Sequence, residues 1–190
     1  MKNRTSFSLC ICAAILLSVG CTKQDIVSDN PISADGPLYS YDYSPCGDEV
    51  VTTLYAGRSI DVGTLTIGND EDDLVITYTL DGDWELSETH LFVGDCDDIP
   101  LTGAGNPKIG HFPYTASHGS GTTEYTYVIS LDDLDDCYCI SAHAAVVEVD
   151  GDGEVISEET AFGEGEYEFT GTRWGWYMEY CTEACDVVYY

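Results

Sequence analysis

Positive charge is what this 190-residue sequence has least of: six lysines and arginines stand against 35 aspartates and glutamates, a formal net charge of −29 at pH 7. Such a chain repels phosphate backbones and anionic surfaces, which excludes nucleic-acid binding. No apolar run reaches the roughly 20 residues that a membrane-spanning helix needs. Beyond the first twenty residues no stretch of ten or more carries a convincing helical pattern. Gly-x-Ser-x-Gly is absent, so nucleophilic serine catalysis lacks its usual turn. The cysteines lack paired CxxC spacing and no histidine stands at helical ligand spacing, which argues against a zinc-thiolate cluster.

What is present begins with an export address. Lys2 and Arg4 precede an apolar stretch from Phe7 to Val19, and Leu17-Ser18-Val19-Gly20-Cys21 follows as a small-residue processing site. This run resembles the lipobox of bacterial lipoproteins, with Ser18 where the pattern most often has leucine. The resemblance implies a signal peptide over residues 1–20, cleavage before Cys21, and acyl chains such as palmitate on Cys21. Several chains hold a protein to a membrane where one binds only marginally. The expected location is therefore the cell envelope, at the outer membrane or cell surface. All 35 acids lie beyond Cys21 with only four bases, so the mature chain carries −31.

Of nine cysteines, Cys10 and Cys12 leave with the signal and Cys21 takes lipid. Cys46, Cys96, Cys137, Cys139, Cys181 and Cys185 remain, an even set that reads as disulfides in an oxidising compartment, with fifteen connectivities open. Cys46 enters the domain and Cys181 and Cys185 leave it, so a bridge from Cys46 to one of them would tie the ends. Cys96 follows a strand, and a second bridge to Cys137 or Cys139 is expected.

Residues 21–45 are rich in Asp, Ser, Pro and Gly and read as a flexible tether. Near its end, Tyr39, Tyr41 and Tyr43 alternate as in a first edge strand, with a stacking strip for a sugar as the alternative. Residues 46–190 form one domain, with too many aromatic and β-branched residues for disorder. Leu74, Ile76, Tyr78 and Leu80 share one face of a strand, and Val75, Thr77 and Thr79 the other. Trp174, Trp176, Met178 and Tyr180 repeat the device as a core-facing row. Tyr138 to Val149 is apolar on both faces, as in a covered central strand. Turns fall at Gly68-Asn69-Asp70, Asp81-Gly82-Asp83, Gly94-Asp95, Gly119 to Gly121 and Asp150 to Gly153. The expected fold is all-β, an antiparallel β-sandwich with disulfide bridges, with a closed barrel as the alternative.

The runs Ala56-Gly57, Asp61-Val62-Gly63-Thr64-Leu65-Thr66-Ile67, Trp84-Glu85-Leu86, Glu88-Thr89-His90-Leu91, Asn106-Pro107-Lys108, Gly110-His111-Phe112-Pro113-Tyr114, Ala142-His143-Ala144 and Glu159 to Gly165 resemble an uncharacterised domain. That domain recurs in surface and secreted proteins of bacteria, notably Bacteroidetes. The resemblance covers residues 50–180 and implies a family identity without an assigned activity or catalytic residues.

Three sets of residues carry candidate chemistry. His90 and His143 are expected on paired strands, where they could share a metal or polar ligand with Glu88, or form a hydrogen-bonded structural pair, the reading we favour. Asp150, Asp152 and Glu154 alternate around a turn in the manner of a calcium loop, although Val155 stands where an EF-hand needs glycine. Trp84 follows a turn and is the candidate exposed aromatic for stacking on a sugar. The sequence thus points to a non-enzymatic binding or adhesion module for a carbohydrate or an envelope protein. No cofactor is expected other than calcium. A structural envelope component and a metal-dependent hydrolase are the rival readings.

Overall fold

Alternating apolar and polar residues drive the chain into ten strands among the described residues: β1 (Val50–Ala56), β2 (Ile60–Asn69), β3 (Asp73–Leu80), β4 (Trp84–Gly94), β5 (Tyr114–Ser117), β6 (Glu124–Ser130), β7 (Cys137–Val149), β8 (Val155–Gly163), β9 (Tyr167–Glu168) and β10 (Trp176–Cys181). This computed structural model describes residues 43–185. The signal segment 1–20, Cys21, Tyr39, Tyr41 and nearly all of the tether lie outside the described residues. Three single-turn 3₁₀ helices are the only helical pieces among those described, and no helix there is long and apolar enough to cross a membrane.

Every pairing is antiparallel, and the main path runs β5-β4-β7-β8-β1-β2-β3-β6, with β10 on β7 and β9 on β10. This is one curled sheet, a half-barrel, where the alternation pattern predicts two stacked ones. The difference rests on a short seam: β8 and β1 pair only through Leu54, Tyr55 and Ala56 against Gly163, Phe162 and Ala161. Without those three pairs the ladder would fall into two sheets. Curling brings β6 over β4, so that the Tyr127 hydroxyl meets Thr89 Oγ1 at 2.8 Å across the core.

The concave face carries the main core. Leu65 and Ile67 of β2, Ile76 and Tyr78 of β3, Leu91 of β4, Tyr138, Ile140, Ala142 and Ala144 of β7, and Tyr180 of β10 are all buried there. Burying a large apolar side chain stabilises by roughly 1.5–3 kcal/mol, so this face is the dominant favourable term. β3 follows its alternation from Ile76 onward, with Leu74, Ile76, Tyr78 and Leu80 buried and Thr77 and Thr79 half-exposed, while Val75 on the outer face is buried too. β7 lies between β4 on one edge and β10 and then β8 on the other, and is buried continuously from Tyr138 to Ala144 because each of its two faces meets a hydrophobic cluster.

Two local devices set the register. Opposite the irregularity at Leu54 and Tyr55, Gly63 has φ +147°, and a Cβ there would lie 2.1 Å from the Thr79 carbonyl oxygen. Only glycine lets β2 approach β3 so closely. At the end of β2, the buried Asn69 side chain donates to the Asp70 and Glu183 carbonyls and accepts from Tyr180 Oη and the Glu183 amide, at 2.8–3.0 Å. It binds the outgoing chain to the β2–β3 turn.

Three disulfides complete the frame: Cys46–Cys185, Cys96–Cys139 and Cys137–Cys181. The first ties the two ends of the domain and the second pins the loop after β4 to the central strand, as the spacing predicts. The third couples the opening of β7 to the end of β10, where Cys137 and Cys181 are register partners.

Candidate functional site

The convex face of the sheet carries a second, smaller core. On β7 the residues alternating with the main core are Cys139, Ser141, His143 and Ala145; Phe92 of β4 and Phe162 of β8 point the same way. Ile99, Phe112 and Phe169, from the long loop after β4 and the segment after β8, cover them. Apolar residues on a convex face must be roofed, and the Cys96–Cys139 bridge holds that roof down.

His90 and His143 meet under this roof. They are direct cross-strand partners with ring centroids 5.3 Å apart. His143 is 3% exposed, lies with its ring 4.9 Å from that of Phe162, and has no hydrogen-bond partner at either ring nitrogen, so the pair is structural but the hydrogen bond expected between the two rings is not made. His90 Nδ1 is buried and unpartnered, while its Nε2 stands 3.9 Å from Glu88 Oε2. Burial, helped by the neighbouring His90, pushes the His143 imidazole down to about 3. It is therefore neutral at any ordinary pH. The sole set of three His, Cys, Asp or Glu residues with ligand atoms within 4.8 Å of one another, among the described residues, is Cys137, Glu179 and Cys181. Its two sulfurs are spent on each other, and His90, His143 and Glu88 do not assemble a ligand set.

The other histidines stand apart from this pair. His118 Nε2 is 2.9 Å from Thr89 Oγ1 and its ring packs on Tyr125, on the concave side of β4, where burial lowers its pKa. Together with the Tyr127 hydroxyl this polar group locks β6 against β4. His111 lies in the 3₁₀ turn Ile109–His111 of the loop after β4.

The acidic turn and the tryptophans depart from the sequence-based reading. Asp150 Oδ1 accepts from the amides of Asp152 and Glu154, at 2.9 and 3.0 Å, so this carboxylate closes the β7–β8 hairpin. The carboxylates of Asp150, Asp152 and Glu154 do not converge; Asp-Gly chemistry serves the turn itself. Trp84 opens β4 opposite Glu148 and packs half-buried against the main core, not out to solvent. Trp174 and Trp176 are half-buried as well, packed on the smaller cluster of Phe92, Phe162 and Phe169. Only Met178 and Tyr180 of that row pack with the main core, because β10 leaves β7 for β9 at Trp176 and turns its first residues to the convex face.

These rings join into one surface. Trp174 and Trp176 meet edge-on at 5.6 Å, Tyr55 packs on Trp176 at 6.1 Å, and Tyr177 stacks on Tyr167 at 5.2 Å. Phe162 and Phe169 lie beneath and hold Trp174 and Tyr177. Gly175, with φ +145°, has no room for a Cβ against the Phe162 ring, which seats the Trp174-Gly175-Trp176 turn on the roof. Two open cavities lie in this part of the molecule, of which the larger reaches Trp174 and the smaller is bounded by Arg173, the residue before it in the chain. One, of about 560 Å³, is lined by Ser87, Ala145, Glu158, Thr160 and Trp174; the other, of about 320 Å³, by Thr102, Asn106, Lys108, Ile109 and Arg173. Alternation placed Trp174 and Trp176 against a core, as they are, but could not tell that it is the smaller cluster of the convex face, and it passed over Arg173 entirely. The scarcity of cations was the one signal that could have drawn attention to it.

No family model, curated protein or solved structure matches this chain.

Proposed function

We propose that this chain is an exported, lipid-anchored envelope protein whose β-domain is a non-enzymatic binding module, with carbohydrate as its ligand class. The anchor is Cys21 and the location the outer membrane or cell surface, on the strength of the lipobox-like segment. Six cysteines joined in three pairs favour an oxidising compartment. The resemblance to a domain of bacterial surface and secreted proteins points the same way.

The observation that carries the binding reading is the half-exposed aromatic surface of Tyr55, Trp174, Trp176, Tyr177 and Tyr167 on a disulfide-braced roof. Sugars present C–H faces that pack on rigid aromatic planes, and a platform already held by neighbouring rings costs little ordering entropy on binding. Tyr167, 43% exposed, is the ring with least structural duty.

A glycan array probed with the mature protein tests this. The expected result is binding to a restricted set of glycans, reduced at least tenfold by Tyr167→Ala with an unchanged melting temperature. Uniform silence from a folded protein would overturn the reading and favour a structural envelope component.

A further inference from the structure

We infer that the cavity lined by Lys108 and Arg173 is an anion subsite that takes the carboxylate of an acidic sugar, such as a uronic acid, whose ring lies toward Trp174. This deepens the carbohydrate reading above and rests on it.

Three cations occur among the described residues: Arg58, Lys108 and Arg173. In a chain with 35 carboxylates each would be expected to find a partner. Arg58 does, pairing with Glu168. Lys108 and Arg173 have no carboxylate within 4.0 Å among the described residues, yet both line the same 320 Å³ cavity. Two uncompensated cations converging on one hollow form the positive spot in an otherwise acidic surface. Over distances beyond about 8 Å salt screens the surrounding field, so the local pair governs what enters.

The cavity is also built, not incidental. Asn106 Oδ1 accepts from the Arg173 amide at 2.7 Å and from Thr172 Oγ1 at 3.4 Å, and the Gly171 amide donates to the Gly105 carbonyl at 3.2 Å. The Lys108 amide donates to the Pro100 carbonyl at 2.7 Å, and Pro107 pairs with Leu101. The two loops are pressed so close that a Cβ on Gly171 would lie 2.3 Å from Asn106 Oδ1. Both cations thus leave fixed backbone while their charged ends stay exposed. A planar guanidinium accepts a carboxylate in two parallel hydrogen bonds, and an ammonium adds a point charge. Arg173 adjoins Trp174, so an anchored carboxylate places the sugar ring beside the aromatic surface. That adjacency favours a charged sugar over a free phosphate.

Calorimetric titration of the mature protein with a galacturonate trisaccharide, its neutral galactose counterpart and inorganic phosphate tests the assignment. The acidic sugar is expected to bind at least tenfold tighter than the neutral one and to weaken as salt is raised. Lys108→Gln and Arg173→Gln are each expected to lose about tenfold toward the acidic sugar and nothing toward the neutral one, with melting temperatures unchanged. Equal binding of both sugars, indifferent to the two substitutions, would overturn the subsite and leave the carbohydrate reading standing. Response to phosphate alone would overturn the sugar assignment, and silence toward every sugar here and on the array would overturn both.

Discussion

Replacing His143 with leucine isolates the energetic consequence of burying an imidazole under the aromatic roof. Its pKa falls from 6.5 in the unfolded chain to about 3 in the folded one. Between these values the unfolded state binds a proton that the folded state refuses. Stability therefore drops as pH falls below 6.5, by about 1.4 kcal/mol per unit, and the loss is complete only near pH 3. From pH 7 to pH 4 the cost is roughly 3 kcal/mol, a large share of the 5–15 kcal/mol typical of a domain. The 35 acidic groups also titrate in this range, but they are common to both proteins and cancel in the difference. Leucine at 143 removes two unsatisfied ring nitrogens, so His143→Leu is expected to be more stable at pH 7 by about 1–3 kcal/mol. The gap then widens by roughly 3 kcal/mol at pH 4. Urea unfolding followed by tryptophan fluorescence at pH 7, 5.5 and 4, with disulfides intact, measures it. A gap that stays constant across that range would show that His143 is solvated, and the account of the roof would fail.

Four further outcomes follow from the geometry. Asn69→Ala should cost about 3 kcal/mol in the same unfolding assay, because four hydrogen bonds are lost and the Tyr180 hydroxyl is left buried without its acceptor. Gly63→Ala should destabilise by at least 2 kcal/mol, since the methyl meets the β3 backbone; a smaller loss would mean that β2 and β3 can separate there. Reduction should lower the melting temperature sharply, with the bridge spanning 139 residues worth about 5 kcal/mol by loop entropy and the bridges spanning 43 and 44 about 4 each; intact-mass analysis should find no free thiol among the six before reduction. Asp150→Ala should cost about 1 kcal/mol equally with calcium or chelator present, and a loss seen only with calcium would restore the cation loop.

Much of the domain is legible in the amino-acid sequence. Period-two alternation identified β3 and the doubly covered β7, and the Asp-Gly turns marked the β7–β8 hairpin and the β3–β4 connection, whose two strands do not pair with each other. Disulfide logic narrowed Cys46 to Cys181 or Cys185 and Cys96 to Cys137 or Cys139, because entry, exit and loop positions leave few ways to close the chain, and the fold chose Cys185 and Cys139. The candidate site was less legible. His90 and His143 were expected on neighbouring strands, but their unsatisfied nitrogens depend on what roofs them, and that roof comes from residues 95–113 and 164–177, which carry no strong periodicity. Trp174 and Trp176 alternate like core residues, yet β10 changes partner at Trp176 and alters which side is covered.

Composition and local pattern by themselves determined an acidic, disulfide-stapled, antiparallel all-β domain, since these follow from charge count, cysteine parity and the two-residue repeat of a strand. Only the tertiary structure decided that the strands form one curled sheet, because the three residue pairs joining β1 to β8 are a long-range contact that no local repeat encodes. The same holds for Lys108 and Arg173, 65 positions apart in the chain. They share a cavity because Asn106 and Gly171 clasp two loops together, and side-chain contacts at that separation exist only once the fold has formed.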